Sequence, residues 1–86
     1  MKIIRSPRFD RAYKKLPNEI KELFKNKFRL FISSNMKHPS LRVKRIKGTK
    51  DIWEASIGMN YRFTFQKIES NVNLRVIGGH KVVEKP

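Results

Sequence analysis

Four side chains in this sequence are candidates for acid–base chemistry on a phosphate ester. They are the only two histidines, His38 and His80, together with Glu54 and Arg62. An imidazole or a carboxylate can transfer protons, and a guanidinium can stabilise charge on a phosphate with a planar fork of donors. Each also has an ordinary structural interpretation: a solvated or loop histidine, or an ion pair between Arg62 and Glu54 across a hairpin. The residue types alone leave these alternatives open.

Basic side chains form a second group in the middle of the chain. The stretch Leu41–Lys47 and the turn after it contain Arg42, Lys44, Arg45, Lys47 and Lys50. Such residues on an exposed strand bind phosphates without reading sequence, although a run of this kind is often only a solvated face. The net charge of +14, from 21 Lys and Arg against 7 Asp and Glu, favours contact with RNA. The helical lysines, Lys14, Lys15, Lys21, Lys25 and Lys27, are interpreted as a solvated face.

Composition limits the partners and the cofactors. The charge makes a polyanion, nucleic acid first, the expected partner, and an acidic protein fits the same field. There is no cysteine, and two histidines do not make a zinc site of the usual kind, so we expect neither metal nor cofactor. No apolar run spans a membrane and no signal peptide is visible, which predicts a cytoplasmic protein without a membrane partner. The 86 residues suit one domain, residues 1–86.

The chain is organised around a hairpin from Ile52 to Lys67, with a turn at Gly58-Met59-Asn60. Side chains alternate between the faces of a strand. One face therefore carries the core aromatic and aliphatic residues, Trp53, Ala55, Ile57, Tyr61, Phe63 and Phe65. The other carries Glu54, Ser56, Arg62 and Thr64, and we expect it to be open to a ligand.

The remaining elements follow from helical and strand periodicity. Lys2–Arg5 is a candidate strand, and Ser6-Pro7 predicts the start of a helix over residues 7–15. Asn18 is the expected cap of a second helix, residues 19–33, which has an apolar stripe. Strands are expected over Leu41–Lys47 and Asn73–Ile77, the second one broken by Gly78-Gly79-His80, and the tail, residues 81–86, can form one helical turn. The order β-α-α-β-β-β-β predicts an α+β fold: a two-helix hairpin packed on a mainly antiparallel sheet of four to five strands.

Several short motifs, in this order, resemble the RelE/ParE superfamily of type II toxin–antitoxin toxins, over nearly the whole chain. They are His38-Pro39-Ser40-Leu41-Arg42, Ile46-Lys47-Gly48, Trp53-Glu54, Tyr61-Arg62-Phe63 and Ile77-Gly78-Gly79-His80. The sequence is most similar to the RelE and YafQ mRNA interferases. The resemblance implies a toxin that cuts mRNA in the ribosomal A site, without metal, using the RNA 2′-OH as nucleophile. It also implies a cognate acidic antitoxin.

The resemblance also assigns roles to individual residues. Arg62 matches the strand arginine that binds the scissile phosphate, His80 matches the C-terminal histidine of YafQ-like toxins, and His38 matches another YafQ histidine. Glu54 and Ser56 stand where RelE has two lysines, which is a departure from the family pattern. Two alternatives remain at this point: a ParE-like inhibitor of DNA gyrase that cuts nothing, and a non-catalytic RNA-binding module.

Overall fold

Two helices pack on one face of a five-stranded mixed sheet in a computed structural model that describes all 86 residues. The α+β fold expected from the sequence is confirmed. The strands are β1 (Lys2–Arg5), β2 (Lys44–Arg45), β3 (Ile52–Ser56), β4 (Tyr61–Ile68) and β5 (Asn71–Gly79), and the helices are α1 (Pro7–Lys14) and α2 (Asn18–Ser33). The spatial order is β1-β5-β4-β3-β2, with β1 parallel to β5 and all other pairs antiparallel. None of the helices has the length and apolar character needed to cross a bilayer.

The two helices begin in different ways. The Ser6 hydroxyl accepts the Phe9 N–H across 3.0 Å, with Pro7 at the first helical position, as the sequence predicts. The expectation that Asn18 caps α2 is wrong. Asn18 is the first residue of α2, Pro17 occupies the cap position, and no side chain accepts a hydrogen bond there.

Phenylalanines from α2 and β4 form the centre of the core. The Phe31 ring lies 5.5 Å from the Phe63 ring and 5.0 Å from the Phe65 ring, both in edge-to-face geometry. All three side chains are almost fully buried, whereas Trp53 and Tyr61 pack at the margin of the cluster and are only partly buried. Burial of this kind stabilises by about 1.5–3 kcal/mol per side chain, and it fixes the position of β4 relative to α2.

The expected basic strand over Leu41–Lys47 is much shorter than predicted. Only Lys44–Arg45 pairs with β3, and Pro39–Leu41 forms a short 3₁₀ helix instead. Leu41 is fully buried in the core cluster, and the next residue, Arg42, has a left-handed backbone with φ 47°. Burial of Leu41 pulls the chain inward at this point, so the first half of the stretch cannot run along the sheet edge.

Strand β5 is longer than the predicted Asn73–Ile77. It continues through Gly78 and Gly79, which pair with Arg62 and Tyr61, and a register shift beside Thr64 accommodates the extra length. The glycines therefore do not break the strand. A Cβ on Gly78 would lie 3.0 Å from Val82 Cγ1, so the missing side chain lets the following segment pack against the sheet.

That following segment, residues 80–86, is called the tail here, and it lies on the sheet face opposite the helices. It begins with a 3₁₀ helix, His80–Glu84, close to the helical turn expected there. The Thr64 hydroxyl and Arg75 Nε donate to the Pro86 carbonyl across 3.3 and 2.9 Å, and Arg8 donates to the Lys85 carbonyl. The face expected to be open is therefore covered at its centre, where Thr64 is fully buried.

Candidate functional site

Arg62 lies at the start of β4 and is held by the hairpin turn before it. Its Nη1 donates to the Tyr61 and Gly58 carbonyls across 2.9 and 3.1 Å, and more weakly to the Met59 carbonyl across 3.4 Å. Gly58 has φ 136°, which a residue with a side chain adopts only under strain. The turn therefore fixes the guanidinium, and these hydrogen bonds leave Nη2 free to donate to a ligand.

Glu54 faces Arg62 from the neighbouring strand. Arg62 Nε lies 3.8 Å from Glu54 Oε1, and the two side chains are only 19% and 12% exposed. This is a loose ion pair, longer than a hydrogen bond, in a site largely shielded from water. The structure therefore contains the pair that the sequence offered as the ordinary interpretation of both residues. Ser56, directly opposite Arg62 in the ladder, is also buried on this face.

The two histidines lie in different parts of the fold. Gly78 pairs with Arg62, so His80, two residues further on, begins the tail at the end of the sheet where Arg62 lies, and it is exposed. His38 caps the short 3₁₀ helix. Its Nδ1 accepts the Ser40 N–H across 3.2 Å and lies 2.9 Å from the Ser40 hydroxyl. These contacts account structurally for His38 without a catalytic role.

The five basic residues predicted to bind RNA do not form one surface. Lys44 pairs with Glu54 and shares the face of Arg62, whereas Arg45 pairs with Trp53 and lies on the opposite face. Lys47 and Lys50 are exposed in the loop before β3. Of this group, Lys44 therefore lies on the sheet face that carries Arg62, and Arg42 lines a pocket beside the hairpin turn.

This pocket, called the turn pocket here, lies between α2, the loop before β2 and the hairpin turn. It has a volume of about 250 Å³ and is lined by Lys27, Ser40, Arg42, Ser56, Gly58 and Met59. The interpretation of Lys27 as part of a solvated face missed this placement. The sequence does contain a signal: Lys27 follows Phe24 by three residues and precedes Phe31 by four, so it borders the apolar stripe that packs on the sheet.

The largest cleft, about 490 Å³, lies beside the end of β5 and does not contain Arg62 or Glu54. Its basic residues are Arg8 and Arg11 on α1 and Lys15 directly after that helix, and its remaining walls include Tyr61 and Gly78-Gly79. No carboxylate lines it. Only three ion pairs form in the whole chain, which has 21 cationic side chains, so the field around this end of the sheet is strongly positive.

Comparison with known proteins finds similarity only in structure. No protein-family model matches the chain, and no curated protein matches it in sequence. The RelB–RelE antitoxin–toxin complex of Methanococcus jannaschii contains a similar chain, with a TM-score of 0.77, 21% identity and 95% of each chain covered. The E. coli DinJ–YafQ toxin–antitoxin complex gives 0.77 and 14%, covering 93% of this chain and 92% of the other.

A third similar structure is the YoeB/ParE toxin of Agrobacterium tumefaciens, with a TM-score of 0.76 and 15% identity over 93% of this chain and 99% of that one. At these identities the likeness concerns the fold. The chain has the fold of the RelE, YafQ and YoeB toxins along almost its whole length, which confirms the RelE/YafQ-like fold that the sequence motifs predict.

Proposed function

We propose that this chain is the toxin of a type II toxin–antitoxin system and acts as a metal-independent, ribosome-dependent endoribonuclease on mRNA. One observation carries the proposal. A RelE-like fold brings Arg62, fixed by its turn and retaining Nη2 as a donor, to the same end of the sheet as exposed His80. Transphosphorylation of RNA needs a phosphate-binding cation and a group that transfers protons, and Arg62 and His80 are of these two types.

In the proposed reaction the 2′-oxygen of a nucleotide loses its proton and attacks the adjacent phosphorus. The bond from phosphorus to the 5′-oxygen breaks, and that oxygen takes up a proton, which leaves a 2′,3′-cyclic phosphate and a 5′-hydroxyl. Arg62 binds the phosphate and stabilises charge in the transition state, and His80 transfers a proton. Glu54 is the candidate base, and His38 is a weaker candidate because Ser40 already occupies its Nδ1.

The partners follow from charge and from the neighbouring structures. Lys44, beside Glu54, and the exposed Lys47 and Lys50 are proposed to contact the mRNA backbone, with Arg42 in its own pocket. The similar RelE and YafQ chains occur in complexes with RelB and DinJ. We therefore propose an acidic antitoxin for this chain, acting in the cytoplasm, since a net charge of +14 suits such a partner.

A specific observation favours a second candidate, a ParE-like toxin that inhibits DNA gyrase and cuts nothing. The carboxylate of Glu54 lies 3.8 Å from Arg62, where it opposes the approach of a phosphate, and the tail covers the centre of the same face. A gyrase inhibitor would need neither Arg62 nor His80 as reactive groups. The two proposals therefore differ in what they predict for variants of these residues.

Expression of the chain from a tightly controlled promoter, with mapping of 5′ ends on a reporter mRNA, tests the nuclease. Wild type should arrest growth and produce breaks in phase with codons, and Arg62→Ala and His80→Ala should each remove the breaks. Arg29→Ala is the matched control, because Arg29 is exposed on α2 and its side chain hydrogen-bonds only with Asn26. Circular dichroism of each purified variant separates a lost reaction from a lost fold.

The outcomes separate the candidates. Growth arrest with intact mRNA rejects the nuclease and supports gyrase inhibition, which a supercoiling assay then measures directly. Breaks that persist in folded Arg62→Ala and His80→Ala would reject the roles assigned to these residues. Absence of both arrest and breaks in wild type would reject an active toxin.

A further inference from the structure

We propose that the turn pocket binds a phosphodiester of single-stranded RNA next to the phosphate held at Arg62, with Lys27 and Arg42 as its two cations. The placement beside a scissile phosphate rests on the proposed function, but the pocket's affinity for RNA does not. Neither Lys27 nor the pocket as a unit was expected from the sequence.

Lys27 is half-buried, yet it has no carboxylate partner. The three ion pairs of the chain involve Arg5, Lys25 and Arg62, and none of the residues lining the turn pocket is acidic. A lysine whose stem is packed against the fold normally extends its ammonium to water or to an opposite charge. Lys27 and Arg42 line the same pocket, and no acidic residue lines it with them, so the pocket carries two positive charges without a compensating carboxylate.

Arg42 occupies a backbone position that an arginine adopts only at a cost. Its φ of 47° and ψ of 45° lie in the left-handed region, where glycine or asparagine is the usual residue after a helical turn. An arginine in such a position is a reason to look for a function that needs its side chain. Its guanidinium makes no hydrogen bond or ion pair with the protein, which leaves all its donors for a ligand.

The other lining groups suit a nucleotide. Ser40 lines the pocket, and its hydroxyl can donate to a phosphate oxygen. Met59 projects from the hairpin turn with 90% of its surface exposed, the most exposed large apolar side chain of the chain. A single strand of RNA presents phosphates and bases in alternation. The cations Lys27 and Arg42 suit the phosphates, and the exposed Met59 suits a base.

The pocket is continuous with the Arg62 site. Ser56 lines the pocket and is also the direct ladder partner of Arg62, while Gly58 lines the pocket and accepts a hydrogen bond from Arg62 Nη1. A strand whose phosphate is held at Arg62 therefore passes the pocket at the hairpin turn. This continuity favours RNA over an acidic peptide as the occupant.

Binding of a short single-stranded oligonucleotide, methylated at every 2′-oxygen so that it cannot be cut, tests the proposal. The variant is Lys27→Ala/Arg42→Gly, and the charge-matched control is Lys14→Ala/Lys67→Ala, two exposed lysines that line neither the pocket nor the Arg62 face. Fluorescence anisotropy at several salt concentrations should show roughly tenfold weaker binding at low salt for the variant than for the control. The slope of log affinity against log salt should fall by about 0.7, which corresponds to one lost phosphate contact.

Thermal unfolding distinguishes a role of Arg42 in ligand binding from a role in stabilising the fold. Arg42→Gly relieves the left-handed backbone, so its melting temperature should hold or rise while RNA binding falls. Glu69→Gly is the control for strain, because Glu69 has a similar φ of 56° in the turn between β4 and β5, and it should leave RNA binding unchanged. Weaker RNA binding by an Arg42→Gly protein that has also lost thermal stability would overturn this part of the argument.

Three further results test whether the turn pocket binds RNA. Equal affinity and salt slope in the pocket variant and the charge-matched control would overturn the proposal. Unchanged RNA binding with lost affinity for a polyglutamate peptide would overturn it as well and assign the pocket to a protein partner. If wild type binds the oligonucleotide through the pocket but cuts no mRNA, the pocket stands and the nuclease proposal fails.

Discussion

Arg75 Nε donates to the Pro86 carbonyl across 2.9 Å and so fastens the tail to the sheet face that carries Arg62. Thr64 donates to the same carbonyl, and Val82 packs where Gly78 has no side chain. The tail is thus an integral part of this face in the folded chain. Access to Arg62 is consequently from the hairpin end of the sheet and not from above its centre.

Arg75→Ala should loosen the tail without unfolding the sheet. Loss of one side-chain hydrogen bond to the backbone costs about 1 kcal/mol, and it leaves Thr64 as the contact of β4 with Pro86. Hydrogen exchange should therefore speed up in residues 80–86, with the β3–β4 amides unchanged. As a control, hydrogen exchange in Arg29→Ala should be the same as in wild type. Faster exchange throughout the sheet of Arg75→Ala would contradict the prediction and show that the tail stabilises the whole fold.

Arg62 and Glu54 should prove energetically coupled. Arg62→Ala leaves a nearly buried carboxylate without its cation and also removes the hydrogen bonds to the turn, so we expect a loss of roughly 2 kcal/mol of unfolding free energy. Glu54→Gln in the same chain should restore about 1 kcal/mol by removing the unpaired charge. Urea unfolding of wild type, both single variants and the double variant measures this coupling, and strictly additive losses would show that the 3.8 Å pair has no energetic role.

Gly58 should tolerate substitution less well than Gly48. Both have positive φ, but a Cβ at Gly58 would lie 3.0 Å from Leu23 Cδ2, whereas a Cβ at Gly48 meets nothing within 4 Å. Gly48→Ala therefore has only the backbone cost, about 1 kcal/mol, and Gly58→Ala has a steric cost in addition. Melting temperatures of the two variants compare them, and an equal decrease would mean that Leu23 moves aside freely.

Sequence periodicity correctly predicted those helices and strands in which the residues of the local pattern also make the tertiary contacts. The apolar stripe of α2, the alternation along Ile52–Lys67 and the cap at Ser6 all appear in the structure nearly as expected. In each case the residues that define the pattern also make the stabilising contact. The Ser6 hydroxyl, for example, accepts from Phe9 and also donates to the Arg75 carbonyl across 2.8 Å.

Sequence patterns do not predict the structure where a segment far away in the sequence determines it. Alternation showed that Thr64 points away from the helices, but not that residues 80–86 return to cover it. The basic stretch has strand-like alternation, yet burial of Leu41 in the core and the left-handed Arg42 limit the strand to Lys44–Arg45. The helix pattern predicts a solvated Lys27, because a helix pattern alone does not show which loop packs beside it.

Phe31 should be the position on α2 where truncation is most costly. Its ring is fully buried between Phe63 and Phe65, and Phe→Ala changes in cores cost about 3–5 kcal/mol. A domain of this size has a total stability of roughly 4–13 kcal/mol, so Phe31→Ala should have a much lower urea midpoint and can be partly unfolded without urea. Ile32→Ala is the control on the same helix, since Ile32 is 43% exposed and should lose less than about 1 kcal/mol. Similar losses at both positions would mean that the aromatic cluster does not determine how α2 packs on the sheet.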